Sequence, residues 1–223
     1  MKQIFFLVNR LEEFDIGCYI KQNLDGFLVS VGESLPPAYE NYDLVVLWNY
    51  RKILNDLDDA KNVVVFHSSD LPKGKGWAPI YHALADGNEE YVISGILASK
   101  DVDSGDMIIQ ARYKMQSNYT ALKIREWDNE ICIMMVREIF LHFTNRNFQG
   151  VKQMGDESYY PRRKLEDNEI ALDSRLADIV NHLRGCEKEH PAYFLYKGYK
   201  YHIHVEPEIV PDFPNDLEFV FFD

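Results

Sequence analysis

Three short apolar runs set the strongest limit on how this chain can fold. They are QIFFLV at 3–8, DLVVLW at 43–48 and NVVVF at 62–66. Runs that are apolar on both faces and rich in valine are typical of parallel strands covered by helices. The sequence therefore predicts a buried, mostly parallel sheet.

The remainder of the first 150 residues continues this alternation. Further strands are predicted at 27–31, 91–98 and 107–115, and helices at 79–87 and 118–146. Strands that alternate with helices at this pitch indicate an α/β domain. We predict a Rossmann-like sheet with helices on both faces, in which ligands bind beyond the carboxyl ends of the strands.

The composition changes after Gly150. The following residues, up to 168, are polar and contain glycine and proline, which indicates a linker. A helix near 173–185 and a hairpin at 192–205 are predicted next, and the hairpin turns at Lys197-Gly198. The pattern indicates a small α+β subdomain.

We therefore predict two domains, a catalytic domain at 1–150 and the small subdomain at 151–223. The chain ends with four apolar residues in succession, FVFF at 219–222. Such a segment is rarely left free in solvent. We expect it to dock on the body of the protein or on a second subunit.

Charge and composition exclude several classes of function. The chain has 24 Lys and Arg against 36 Asp and Glu, a formal net charge of −12, whereas nucleic-acid binding normally needs a basic surface. No apolar stretch approaches the roughly 20 residues that span a bilayer. Cys18, Cys132 and Cys186 fit neither a CxxC metal pattern nor a disulfide framework. We expect a cytoplasmic protein that binds neither nucleic acid nor membrane.

One segment combines the residue types that catalysis needs. Residues 66–79 read FHSSDLPKGKGWAP, so His67 stands at a strand end before a Leu-Pro turn and a basic, glycine-rich stretch. Further along, residues 101–106 read DVDSGD and contain Asp103. A histidine near neutral pKa can donate to an oxyanion and carry a proton, and a neighbouring aspartate favours its charged form.

These two segments resemble the formyltransferase family that includes methionyl-tRNA formyltransferase, glycinamide ribonucleotide transformylase and the sugar N-formyltransferases. The family histidine precedes an SLLP-type turn and a basic glycine, as His67 precedes SDLPKGKG here. The family aspartate opens a DxGD or DGGP turn, as Asp103 does here. The resemblance covers most of 43–115 and, less sharply, 157–204. It implies an enzyme that moves a formyl group from 10-formyltetrahydrofolate to a primary amine without a metal.

The resemblance also implies roles for individual residues. His67 and Asp103 would be catalytic. His67 would stabilise the tetrahedral oxyanion, and Asp103 would orient the imidazole of His67. The family normally carries an asparagine two residues before the histidine, and this chain has Val65 there. Asn49, at the end of the neighbouring strand, is our candidate for the missing donor.

Two groups of binding residues follow from the same resemblance. Those expected at the folate are Trp48, Tyr50, Ile53, Leu71, Lys73, Gly76, Ala98 and Val102. Those expected at the second substrate are Ser69, Tyr160, Arg162 and Arg163. The aromatic side chains among them are equally consistent with core packing. His202 and His204 alternate on one strand, but no third ligand stands at a suitable spacing, so no metal site is predicted.

The residues outside the motif favour one acceptor. The net negative charge and the short C-terminal part argue against initiator tRNA, and the presence of that part argues against glycinamide ribonucleotide. The stretch Tyr-Tyr-Pro-Arg-Arg resembles sugar N-formyltransferases, and paired arginines suit a diphosphate. The sequence predicts a UDP- or dTDP-linked amino sugar, used in surface or flagellar glycan biosynthesis, and a homodimer. The alternatives are a formyltransferase for another small amine and a non-catalytic module that binds folate or nucleotide sugar.

Overall fold

The computed structural model describes residues 1–13, 17–52, 54, 57, 60–143 and 148–223. The strands in this part of the chain are β1 (Gln3–Leu7), β2 (Leu28–Gly32), β3 (Leu44–Leu47), β4 (Val63–His67), β5 (Lys75–Gly76), β6 (Glu90–Leu97), β7 (Met107–Lys114), β8 (Tyr159–Tyr160), β9 (Ala192–Tyr196), β10 (Tyr199–Ile203) and β11 (Glu218–Phe221). The α-helices are α1 (Gly17–Asn23), α2 (Pro79–Ala85), α3 (Ala121–His142) and α4 (Leu176–Gly185). Short 3-10 helices occupy Leu11–Glu13, Tyr39–Asn41 and Leu165–Asn168.

The centre of the molecule is a seven-stranded sheet with the order β11-β7-β6-β4-β3-β1-β2. β1 pairs in parallel with β2 and β3, and β3 pairs in parallel with β4. β6 is antiparallel to β4, β7 is antiparallel to β6, and β11 is antiparallel to β7. Most strands therefore run in one direction, and the predicted Rossmann-like α/β fold is confirmed. The direction of β6 follows from its connection, because residues 68–89 stay at the edge where β4 ends.

Apolar side chains alternate between the two faces of the sheet. Ile4 and Phe6 belong to the large core that includes α3, whereas Phe5 and Leu7 pack on the opposite face with Leu57. All four strand residues are at most 6% exposed. Because β1 is buried on both faces, its sequence is a continuous apolar run and shows no polar alternation.

The long helix α3 begins three residues later than the sequence predicts. The side chain of Thr120 accepts a hydrogen bond from the backbone N–H of Lys123 over 3.4 Å, which caps the first turn. The buried side of α3 includes Trp127, which is 2% exposed. The helix ends at His142, and residues 144–147 of the predicted helix lie outside the described part of the chain.

The C-terminal residues return to the central sheet twice. β8 pairs in parallel with β5, so the predicted linker is attached next to the segment that follows His67. β11 becomes an edge strand of the seven-stranded sheet, which confirms that the apolar tail docks on the body of the protein. Between them, β9 and β10 form the predicted hairpin, and both turn residues have positive φ, 49° at Lys197 and 84° at Gly198. The domain boundary at residue 150 stays a prediction.

None of the described helices is long and apolar enough to cross a membrane.

Candidate active site

His67 is the last residue of β4 and lies at the carboxyl end of the parallel strands. It is 8% exposed, and its Nε2 lies 2.9 Å from the carbonyl oxygen of Gly74. Its Nδ1 lies 3.5 Å from Oδ1 of Asp103. Since a carbonyl oxygen only accepts hydrogen bonds, Nε2 carries a proton. The structure thus brings together the two residues that the sequence paired.

The turn that contains Asp103 is held in a single conformation. Asp103 has a φ of 53°, its Oδ2 accepts from the backbone N–H of Gly76 over 2.9 Å, and its carbonyl accepts from Gln153 Nε2. At Gly105 an added Cβ would lie 1.6 Å from the carbonyl oxygen of Leu97. The DSGD turn therefore needs glycine at this position because the backbones touch.

Polar side chains on β6 and β7 hold the segment that follows His67 in place. The Oγ of Ser94 donates to the carbonyl of Ser69 over 2.6 Å, and Gln110 Nε2 donates to Ser94 Oγ over 2.9 Å. The same amide donates to Asp70, which also pairs with Arg112 at 2.8 Å. Ser94 and Gln110 are 0% and 2% exposed. Buried polar groups that satisfy each other in this way hold a loop rigid.

A cavity of about 700 Å³ lies in front of His67 and Asp103. Six of the residues predicted at the donor or as its catalytic partner line it: Trp48, Asn49, Tyr50, Gly76, Ala98 and Val102. Apolar side chains, among them Leu47, Leu57, Val65 and Ile96, form part of its wall. Its volume lies within the range of small-molecule sites. We call it the first cavity.

Three of the other predicted residues, Leu71, Lys73 and Ser69, line neither this cavity nor the second cavity described below. Leu71 is 6% exposed and packs in the core with Ile96 and Met107. Lys73 is exposed, and Ser69 lies against Gly74. Ile53, the remaining residue predicted at the folate, lies outside the described residues.

A second cavity of about 830 Å³ adjoins the first. Arg162 and Arg163 line it, as the sequence predicts for the second substrate. The guanidinium of Arg162 lies 5.0 Å from the centre of the Trp77 ring, whereas that of Arg163 lies 3.2 Å from the Tyr81 ring and donates to Asn168. Arg163 is therefore used within the fold, and Arg162 is the arginine better placed for a ligand.

Tyr160, also predicted at the second substrate, lies outside both cavities. Its hydroxyl donates to Asp86 Oδ2 over 2.8 Å, and its ring stacks on His82 with 3.7 Å between centres. Burial, together with the hydrogen bond to Asp86, raises the pKa of this hydroxyl to about 12. Tyr160 holds β8 against α2.

The two cavities share part of their walls. The residues common to both are Asn49, Arg51, Ser68, Trp77, Pro79 and Arg125. Ser68 directly follows His67, so the cavities meet beside the imidazole. A ligand in one cavity and a ligand in the other can therefore meet there.

Comparison with known proteins shows what this arrangement is similar to. Residues 34–130, which include the His67 segment, the Asp103 turn and the start of α3, match the family of formyl transferases. The match covers a little under half of the chain. Methionyl-tRNA formyltransferase of Pelotomaculum thermopropionicum is 32% identical over 123 residues, which are 53% of this chain and 38% of that protein. The chain spans about half of the length of the curated relatives that it matches.

Solved formyltransferase structures share the fold. Methionyl-tRNA formyltransferase from Clostridium thermocellum has a TM-score of 0.75 at 21% identity, over 99% of this chain and 100% of that chain. A sugar N-formyltransferase from a Shewanella species has a TM-score of 0.69 at 17% identity, over 95% and 100%. HypX from Aquifex aeolicus in complex with tetrahydrofolic acid has a TM-score of 0.72 at 17% identity, over 91% of this chain and 37% of that chain.

Sequence reasoning missed Asp128 of α3. Its Oδ1 accepts from the hydroxyl of Ser68 over 2.8 Å and from that of Tyr91 over 2.7 Å. Burial, the largest effect, raises the pKa of this carboxyl, and the two hydrogen bonds and the nearby Arg125 and His67 oppose the rise. The sequence feature that could have pointed to Asp128 is its position in α3, where an acidic residue stands among the buried apolar residues Trp127 and Ile131.

Asn9 was missed as well. Its side-chain amide donates to the carbonyl of Asn49 over 2.7 Å and accepts from the backbone N–H of Arg51 over 3.0 Å. Asn49 itself has a φ of 48°, which asparagine tolerates better than most residues. Asn9 thus shapes the turn that carries the candidate oxyanion donor.

The described residues contain no group of three or more His, Cys, Asp and Glu side chains able to hold a metal ion. His202 lies on the exposed hairpin strand β10, far along the chain from the site.

Proposed function

We propose that this chain moves the formyl group of 10-formyltetrahydrofolate onto the amino group of a nucleotide-linked deoxyamino sugar. One observation carries the proposal. The first cavity holds the His67–Asp103 pair, the second holds Arg162, and the two meet at Ser68. This is the arrangement that a reaction between a folate donor and an anionic acceptor needs.

The first cavity suits the donor. Aromatic and aliphatic side chains such as Trp48, Leu57 and Ile96 offer contact to a flat heterocycle. The structural likeness to HypX, which was solved with tetrahydrofolic acid, supports a folate as the donor. A bound 10-formyltetrahydrofolate supplies the formyl group.

The chain's own residues act on the charge that develops during transfer. In its doubly protonated form, His67 keeps Nδ1 toward Asp103, and its Nε2–H exchanges the Gly74 carbonyl for the oxyanion, which it stabilises. Asp103 balances this charge, and its hydrogen bond from Gly76 fixes its position. The family's usual asparagine donor is absent, because Val65 lines the cavity with an aliphatic group. The Asn49 amide, which lines both cavities, takes its place as second donor.

The second cavity suits a small anionic acceptor. Arg162 presents a planar guanidinium that can bind a diphosphate with two parallel hydrogen bonds. A nucleotide sugar satisfies this site without a large basic surface, and the net charge of −12 disfavours a long polyanion. The matches to two curated methionyl-tRNA formyltransferases cover only 38% and 53% of those proteins.

Val65 also supports a second candidate function. A site that lacks the asparagine donor can bind folate and a nucleotide sugar without turnover, since the loss of one such donor costs roughly 10² to 10³ in rate in other enzymes. In that case the chain is a binding module.

A transfer assay distinguishes these functions. The chain is incubated with 10-formyltetrahydrofolate and, in turn, UDP- and dTDP-linked amino sugars, simple amines and methionyl-tRNA, and the products are analysed by mass. We expect one nucleotide sugar to gain a formyl group, and His67→Ala to abolish the gain. Formylation of methionyl-tRNA alone would contradict the proposed acceptor, and tight folate binding without any product would establish the binding module.

A further inference from the structure

Asp128 is a carboxylate placed beside His67 that the mechanism above does not use. It lies on α3 between the buried residues Trp127 and Ile131. Both of its hydrogen bonds, from Ser68 and Tyr91, reach Oδ1. Within the described part of the chain no hydrogen bond reaches Oδ2.

The second cavity gives a ligand access to this carboxylate. Asp128 lines that cavity, and Ser68, which donates to it, lines both cavities. His67 precedes Ser68 in the chain and lines the first cavity. His67 and Asp128 therefore both lie next to Ser68, His67 as its chain neighbour and Asp128 as the acceptor of its hydroxyl.

No described residue forms a close ion pair with Asp128. Arg125, one turn earlier on α3, is bound instead to Glu187, with contacts of 2.7 and 3.1 Å. A partly buried carboxylate without a direct ion pair favours a cation as its ligand. The amines that a formyltransferase modifies arrive mostly as ammonium ions at neutral pH.

We infer that Asp128 binds the ammonium group of the acceptor and takes its proton before the amine attacks. The inference rests on the proposed function. An ammonium ion has no lone pair, so this proton must leave before a carbon–nitrogen bond can form. Oδ2 receives it, while Oδ1 keeps its bonds to Ser68 and Tyr91.

The transfer then balances as follows. The freed amine nitrogen bonds to the formyl carbon, and the bond from that carbon to the donor nitrogen breaks. The second proton of the attacking nitrogen passes through His67 to the departing nitrogen. Asp128 returns its proton to water through the second cavity. One ammonium and one formyl donor thus give one formamide, one deformylated donor and one proton.

Asp128→Asn separates this role from a purely structural one. An amide oxygen still accepts from Ser68 and Tyr91, but it carries no charge and cannot take the proton. Glu126→Gln is the matched control, because Glu126 is an exposed carboxylate of the same helix that pairs with Lys123 at the surface. Binding of the donor in the first cavity should be unchanged in both variants.

The measurement is kcat/KM for the formylated sugar as a function of pH. At pH 7 we expect Asp128→Asn to lose a factor of roughly 10² to 10⁴, and Glu126→Gln to lose nothing. The activity of Asp128→Asn should rise about tenfold per pH unit toward the pKa of the amine, because solution then supplies the free amine. The other groups near Asp128 that titrate or carry charge are His67, Tyr91, Tyr113, Arg125 and Cys132. They are present in the unchanged chain and in Asp128→Asn, so their effects are common to the two pH profiles.

The unchanged chain gives a second test that needs no folded variant. Its kcat/KM should stay level between the pKa of the Asp128 carboxyl and that of the amine, whereas without a base it would fall about tenfold per pH unit over this range. Activity of Asp128→Asn equal to the unchanged chain, or a deficit that high pH does not reduce, would overturn the role of Asp128 and leave the proposed function standing. Absence of transfer by the unchanged chain to any amine would overturn the proposed function and this inference with it.

Discussion

His67 Nε2 donates to the carbonyl oxygen of Gly74 over 2.9 Å while Nδ1 of the same ring faces Oδ1 of Asp103 at 3.5 Å. Both ring nitrogens thus face acceptors, and only the doubly protonated ring donates to both. The carboxylate of Asp103 and the carbonyl of Gly74 contact the two ring nitrogens from different segments. Together these contacts fix the orientation of a nearly buried imidazole.

Removing the charge of Asp103 should reduce catalysis without unfolding the site. In Asp103→Asn an amide oxygen can still accept from the backbone N–H of Gly76, so the turn is kept. We expect kcat to fall by a factor of roughly 10² to 10⁴ with an unchanged melting temperature. The exposed Asp25→Asn serves as control. A kcat within twofold of the unchanged chain would contradict the role assigned to the carboxylate.

A methyl group at Gly105 should destabilise the whole domain. The added Cβ would overlap the carbonyl oxygen of Leu97, so the backbone of the DSGD turn or of β6 must move. For Gly105→Ala we expect a loss of at least about 2 kcal/mol in the free energy of unfolding, measured by urea titration. Gly17→Ala, where nothing lies within 4 Å of the added Cβ, should stay within about 0.5 kcal/mol. Equal stability of the two variants would show that the turn is not tightly packed.

Ser94→Ala tests whether the buried polar network positions the loop after His67. The substitution leaves the carbonyl of Ser69 and the amide of Gln110 without this partner. We expect a loss of roughly 1–3 kcal/mol in stability and a lower kcat. Ser30→Ala, on the exposed side of β2, should change neither. Normal kcat in a destabilised Ser94→Ala would show that the network supports the sheet and not the site.

Acid should weaken the contact between α2 and α4. Burial lowers the pKa of His182, and the nearby Arg163 lowers it further. The neutral ring accepts from the Tyr81 hydroxyl, whose oxygen lies 2.7 Å from Nδ1. A histidine whose folded pKa is depressed stabilises the fold above its unfolded pKa of about 6.5, and this contribution is lost as the pH falls through the folded pKa.

The melting temperature should therefore fall between pH 7 and pH 5. It should fall less steeply in His182→Gln, although this variant starts lower because the hydrogen bond to Tyr81 is weakened. The exposed His202→Gln should follow the unchanged chain. Parallel melting curves for all three proteins would show that His182 does not contribute to the acid sensitivity.

The parts of the site that the sequence predicted are those encoded over short distances. The apolar run of β4 ends at His67, and the Leu-Pro turn and the glycines after it have a fixed local geometry. The DSGD motif that contains Asp103 can be recognised in the sequence as a turn. The structure explains its glycine, because only glycine fits at Gly105. Their proximity was predicted because the resemblance paired them.

The parts that sequence reasoning missed depend on contacts between distant segments. Ser68 and Asp128 are 60 residues apart and meet only because α3 crosses the end of β4. Tyr160 was predicted at the second substrate, but its stacking on His82 could not be read from a Tyr-Tyr-Pro pattern. The antiparallel direction of β6 likewise depends on where α2 packs. An apolar run predicts a buried strand but does not show whether that strand pairs in parallel or antiparallel.

In the proposed reaction, a formyl group passes from a folate to an amine at the junction of the two cavities. The most direct test uses 10-formyltetrahydrofolate labelled with ¹³C in the formyl group and follows the label by NMR with and without a nucleotide-linked amino sugar. We predict that the formyl signal moves to a formamide only when both the sugar and an intact His67 are present. Label that stays on the folate with every amine, or that appears as formate without any amine, would contradict the account.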